Sequence, residues 1–403
     1  MQLFSALSHR SFALLWLGQT VSRLGDSVYR VALAWWVLEA TGSAAAMGTV
    51  LIFSSTPMLV FLLAGGVAVD RLPRLQVMLG TDLVNGAVML AVATLAATQR
   101  LEIWHVYAAS AVFGLAEAFF FPAYQAAVPD LTPAGALPSA NSLTSLSQQL
   151  AGIVGPAIGA GVVGLSGTPA AFGLNSLSFL TAAACMLPLL RLAARPRLAG
   201  EGPAANPLRD LREGLALVAR SPWLWITIVV FSLINITLSG PRGVALPFLV
   251  EDTLGRDVET LGLIYSAASV GSVIGSVVLG RLARIRRRGW LAYGATVLSG
   301  LATLLIGSIP SVATALAGAF VIGLTMAAFG LVWTNSVQEL VPREALGRVF
   351  SLDALGSFVL LPVGFGLAGW ATDWLGPAAV FVLGGALTTA LAAGAMLHPA
   401  IRG

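Results

Sequence analysis

Lysine is absent from this 403-residue chain, and charge of either sign is scarce: 22 basic residues, all arginine, and 18 acidic ones amount to 10% of the sequence. An ordinary soluble domain carries roughly 25% charged residues, so a water-soluble core of this length is excluded. Without lysine there is no G-x-x-x-x-G-K-[ST] loop, which argues against direct ATP coupling. The one cysteine, Cys185, lies in an apolar block, so no disulfide forms within one chain and no cysteine metal cluster is available. Three histidines, His9, His105 and His398, stand far apart at expected helix ends and suggest no metal site. No histidine, acid and hydroxyl fall together in a nucleophile–base pattern, so the chain does not read as an enzyme, and no cofactor is expected.

What is present is apolar sequence, 57% of the chain, in long blocks. About 20 apolar residues in a helix cross a hydrocarbon core of about 30 Å. Breaks at polar, glycine and proline residues divide the chain into about twelve such spans. They fall near residues 11–39, 45–69, 76–98, 104–127, 139–165, 170–190, 222–249, 260–282, 290–309, 312–337, 350–372 and 377–397. The fold expected is all-α, with twelve transmembrane helices. The first block contains Arg23, Asp26 and Arg30 and outruns the apolar part of a signal peptide, so it reads as a retained span.

The long polar stretch at 191–221, with Pro196, Pro203 and Pro207, reads as a linker between an N-terminal unit, 1–190, and a C-terminal unit, 222–403. Within it Leu208, Leu211, Leu215 and Val218 recur at helical spacing after Asn206-Pro207, opposite Arg209, Asp210, Arg212 and Glu213. That pattern describes a short amphipathic helix, either on the cytoplasmic membrane surface or packed against the ends of the spans.

Arginine placement sets the expected topology. On the alternating layout, 17 of the 22 arginines fall on one side, including Arg10, Arg71, Arg74, six in the linker and five between 281 and 288. Arg100 and Arg256 fall on the other, and Arg23, Arg30 and Arg242 lie inside spans. The arginine-rich side is the cytoplasmic one, so both termini are expected in the cytoplasm and the chain in the cell inner membrane. The net charge of +4 reads as topology and contact with anionic membrane lipids, not nucleic-acid binding.

An internal repeat relates the two units. Met47-Gly48 aligns with Leu261-Gly262 and Gly66–Asp70 with Gly280–Arg284 at an offset of 214, and Gln125–Asp130 aligns with Gln338–Arg343 at 213. Six spans separate the copies, an even number, so the repeats are parallel, as in two six-helix bundles with a substrate path between them.

Three motifs carry chemistry. Gly66-x-x-x-Asp70-Arg71-x-Pro73-Arg74 joins the second and third spans and resembles the G-x-x-x-D-R-x-G-R signature of major facilitator transporters. Its glycine would allow close helix approach, and Asp70, Arg71 and Arg74 would form a cytoplasmic latch. Pro73 stands where the family has glycine, and in the second copy Arg284 stands where the aspartate would be. Gly155-Pro156-Ala157-Ile158-Gly159-Ala160 resembles the G-P-x-x-G-G antiporter signature of drug and metabolite exporters, with Ala160 in place of the last glycine. Leu24-Gly25-Asp26, Phe121-Pro122-Ala123, Leu174–Phe179 and Gly347–Ser351 are similar to the branch of macrolide-efflux and enterobactin-exporter proteins. The resemblance covers nearly the whole chain. It implies an alternating-access, proton-coupled exporter of small molecules, acting as a monomer.

Charges inside spans are costly and are functional candidates. Arg23, Asp26 and Arg30 share one face of the first span, where Asp26 can pair with either arginine or exchange a proton. Glu117, in the fourth span, has no basic residue near it on its own helix and is the second proton-coupling candidate. Arg30, Arg242, Tyr29, Trp35, Phe120 and Tyr265 are candidates to line a cavity or meet substrate, Arg242 by way of a helix break after Ser239-Gly240-Pro241. Asp82 and Asp353 read as contacts of gate loops or helix ends. The function expected is export of amphipathic drugs, macrolides or siderophore-like metabolites in exchange for protons. Lipid or lysolipid translocation and nutrient symport are the alternatives, with a sensor or membrane enzyme more remote.

Overall fold

The computed structural model describes residues 4–191, 215–280, 287–342 and 345–402. Regular structure in the described residues is helical throughout. Among the described residues ten segments are long and apolar enough to cross a membrane. In lipid a helix satisfies its own backbone hydrogen bonds, which is why so apolar a sequence adopts one helix after another.

The helices are α1 (Arg10–Thr41), α2 (Ala44–Arg71), α3 (Arg74–Ala97), α4 (Ile103–Asp130) and α5 (Leu137–Met186). Beyond the linker come α6 (Pro222–Gly240), α7 (Val258–Gly280), α8 (Arg288–Ser308) and α9 (Val312–Leu340). The last three are α10 (Leu346–Phe358), α11 (Leu361–Leu375) and α12 (Pro377–Met396). α5 runs on for 50 residues, but Gly167, at φ 78° and ψ 169°, is not helical and divides it where two spans were expected.

Two expected spans are irregular. α6 passes at Pro241–Ala245 into a π-helical turn, then a short α turn and a second π turn at Leu249–Thr253. The proline removes one N–H, and the widened turns absorb it without ending the helix. The eleventh span is interrupted instead: α10 stops at Phe358, and α11 begins three residues later with Pro362 in its first turn.

By backbone proximity the chain forms two compact units, Met1–Gly42 with Phe53–Gly200, and Ser43–Ile52 with Glu201–Gly403. α2 therefore belongs to both: its first turns pack in the second unit and the remainder in the first, with Pro57 just past the change.

Helices within each unit touch through backbone. In the first, a Cβ on Gly114 of α4 would fall 1.9 Å from the Ser54 carbonyl oxygen of α2, and one on Gly65 of α2 would fall 2.0 Å from that of Ala118. In the second, α9 and α7 repeat the device, with Gly323 against Ala268 and Gly271 against Phe320. Between helices in lipid there is little hydrophobic drive, so such contacts and van der Waals packing hold them together. Of the linker helix, residues 206–214 lie outside the described residues. Its end at 215–220 is helical, and Val218 is buried with Leu224, Ile228, Val337 and Val349, which is the packed alternative for that end.

Candidate functional site

The polar centre of the first unit is built on α1, and glycines on α5 set its position. A Cβ on Gly155 would fall 2.4 Å from the Ser27 Cβ, and one on Gly159 would fall 2.9 Å from the Val28 Cα. The glycine-rich motif of α5 thus presses on the residues next to Asp26. From the other side, a Cβ on Gly25 would fall 2.1 Å from Ser178 Oγ. Cys185 packs in the same seam, its Cβ 3.0 Å from where a Cβ on Gly18 would stand.

Asp26 stands among Arg30, Glu117, Arg23 and Asn175. It makes a direct ion pair with neither arginine. Arg30 donates to Ser27 Oγ at 2.9 Å. Arg23 lies over the Tyr124 ring, 5.2 Å from its centroid, and with the Gln148 amide turned to present its oxygen both terminal nitrogens donate to it at 3.2 Å. Glu117 projects from α4, and its basic neighbour is Arg23 of α1. One arginine is therefore shared by Asp26, Glu117, Tyr124 and Gln148, from α1, α4 and α5.

Asp82 completes the group. Reading it as a gate-loop contact is corrected by its position two turns inside α3, only 2% exposed, where Gln19 Nε2 donates to it at 3.1 Å. Asp26 and Glu117 are its other charged neighbours. Three carboxylates and Arg23 thus share the interior of one unit, a concentration of charge that a span tolerates only inside a bundle or beside water. Among the described residues no cluster of three metal-ligating side chains is formed.

Other candidates are placed differently. Tyr29 is half-buried against Phe113 and Phe172, beside Ser110, and Phe120 stacks on Tyr124, so both border the Arg23 group. Trp35 is buried, and its indole donates to Glu39 at 2.7 Å near the end of α1, which makes it a packing residue more than a lining one. In the second unit Arg242 sits on the π turn of α6 with an exposed side chain, and the Tyr265 hydroxyl donates to its carbonyl oxygen at 3.4 Å. Asp353 accepts from Trp333 Nε1 at 2.8 Å and Ser357 Oγ at 3.0 Å, again inside a helix bundle and not at a loop.

In the latch motif Arg74 pairs with Asp130 and also donates to the Ala126 carbonyl oxygen. The second unit repeats this, Arg288 pairing with Glu339. Arg71 is exposed, and the side chain of Asp70 lies outside the described residues, as do Arg281 and Arg284. A Cβ on Gly66 would meet nothing within 4 Å, so close helix approach falls to its neighbour Gly65.

Packed apolar helices with ionisable groups buried between them describe a polytopic membrane protein, and sequence comparison places the chain among transporters. Residues 1–316 match the family described as transmembrane secretion effector, and residues 242–400 match the major facilitator superfamily. The chain belongs to this family of major facilitator transporters. It is 26% identical over 390 residues to macrolide efflux protein A of Streptococcus pyogenes, covering 94% of each chain. It is 27% identical to the enterobactin exporter EntS of Shigella boydii serotype 18, covering 88% of this chain and 85% of that one. A POT family transporter has the same fold, with a TM-score of 0.76 at 12% identity and 96% of each chain covered.

Proposed function

We propose that the chain is a secondary active exporter, a proton-coupled antiporter that moves small amphipathic molecules out of the cell by alternating access. The observation that carries the reading is the Asp26–Arg23–Glu117 group, which the α5 glycine motif holds in place. Arg23 is the natural pivot: when one carboxylate takes a proton, the guanidinium turns to the other, and the change reaches α1, α4 and α5 together. Asp82 and Gln19 hold α3 in the same network.

Counting α1 and dividing α5 at Gly167 brings the spans to twelve. Two six-helix bundles, 1–190 and 222–403, joined by the linker 191–221, would rock about a substrate path. Both termini would lie in the cytoplasm, in the inner membrane, and the working form would be a monomer. The relatives named above supply the substrates to try, macrolides and enterobactin. The test is accumulation of a labelled macrolide, dye or siderophore in inverted membrane vesicles when an inward-acid gradient is imposed. Gradient-dependent accumulation by the wild type is expected. Uptake of a lysolipid alone would favour translocation, and gradient-driven loss of a preloaded nutrient would favour symport instead.

A further inference from the structure

We propose that Arg242 is an anion-binding residue, and that the molecule the chain exports presents an acidic oxyanion, a carboxylate or a phosphate, to its guanidinium. Arg242 stands on the π turn Pro241–Ala245 that follows α6. The apolar segment runs from Pro222 to Thr253, so at about 1.5 Å per residue Arg242 lies roughly 30 Å from one end and about 16 Å from the other. Its side chain is remote from the lipid headgroups at either end.

The turn itself is pinned. A Cβ on Gly240 would fall 2.6 Å from the Ala368 Cβ of α11, and the Pro241 ring lies 2.9 Å from where a Cβ on Gly384 of α12 would stand. Pro241, Val244 and Ala245 are buried, whereas Arg242 is exposed. The Tyr265 hydroxyl of α7 donates to the Arg242 carbonyl oxygen at 3.4 Å, which holds the backbone and leaves the guanidinium unengaged. Protein surrounds that guanidinium, yet solvent reaches it.

Charge sets Arg242 apart from the arginines of the first unit. Arg23 and Arg30 both stand near the Asp26 carboxylate. Among the described residues the ionisable neighbour of Arg242 is the Tyr265 phenol, and no carboxylate stands beside it. A charge inside a span is costly, and one without a counter-charge more so. An acidic group on the exported molecule supplies the missing partner, since a guanidinium takes a carboxylate or phosphate through two parallel hydrogen bonds. The inference rests on the export reading and narrows its substrates to amphipathic anions.

Binding tests it with no gradient and no transport. The full chain in a nonionic detergent is titrated with carboxyfluorescein, a carboxylate dye, and with tetramethylrhodamine methyl ester, a cation of related ring structure, and fluorescence anisotropy is read. Arg242→Gln should bind the carboxylate dye roughly ten- to hundredfold more weakly than wild type, the scale of a lost hydrogen bond to a charged group, and should bind the cation at least as well. Arg242→Lys, which keeps the charge and loses the fork, should fall between, and it carries the test alone if the glutamine variant does not fold. Phosphatidylglycerol at equal concentration should leave the dye bound; displacement would give the arginine to a lipid headgroup and overturn the assignment. No binding of the carboxylate dye to the wild type, or equal weakening of both dyes in Arg242→Gln, would also overturn it. Export of a cation by a chain that binds no carboxylate would sink the Arg242 site and leave the export reading standing.

Discussion

Gly159 of α5 meets Val28 of α1 backbone to backbone, with only 2.9 Å between the Val28 Cα and the place a Cβ would take. Nothing at that contact is a flexible side-chain end, so a methyl group there must push the helices apart. Gly159→Ala should lower stability by about 1–3 kcal/mol, the range of an overpacked core. It should also lower transport, because α1 carries Asp26. Gly161→Ala, where a Cβ meets open space, should leave both near wild type. Thermal unfolding of the two purified variants in one detergent makes the comparison.

Asp82 gives a prediction that separates charge from hydrogen bonding. Gln19, only 3% exposed, donates to it, and an asparagine oxygen can accept the same bond. Asp82→Asn should therefore fold normally and lose transport. Asp82→Ala orphans the Gln19 donor and should cost about 1–3 kcal/mol of stability as well. Unfolding midpoints measured beside vesicle uptake would show the split. Normal transport by Asp82→Asn would remove Asp82 from the working group.

The two arginine pairs at the helix ends should matter little for stability. Arg74 and Asp130 have side chains 35% and 52% exposed, and Arg288 and Glu339 are 30% and 59% exposed. Exposed pairs contribute about 0–1 kcal/mol. A double-mutant cycle with Arg74→Gln and Asp130→Asn should give a coupling inside that range, and it should shrink with added salt. A coupling of several kcal/mol would assign the pair a buried role.

The spans were legible because lipid leaves a coarse signal: an apolar run of fixed length between polar breaks. Even the Gly167 division of α5 fell between the expected spans 139–165 and 170–190. The interruption before Pro362 was missed, since its neighbours Val359, Leu360 and Leu361 are as apolar as any helix interior. Asp26 and Glu117 could be picked out as charges in apolar runs. Their geometry could not, because Arg23 turns to Tyr124 and Gln148 on other helices, and spacing along α1 reports only neighbours on α1. Asp82 was misread by its nearness in sequence to a loop, although a helix rises about 1.5 Å per residue and eight residues carry it well into the membrane. Asp373, at the end of α11, gave no signal: it accepts from the Ala44 and Ala45 N–H groups, which any residue but proline could supply, and from the Ser43 hydroxyl.

On the proposed mechanism, proton movement is coupled to substrate through the Asp26–Glu117 group. Proteoliposomes holding a pH-sensitive dye test it directly, with wild type, Asp26→Asn and Glu117→Gln compared as macrolides, dyes and siderophores are added. Substrate-triggered proton movement in the wild type, lost in at least one variant that still folds, is the predicted result. A compound that binds and crosses the membrane with no proton movement, or with the same movement in both variants, would contradict it.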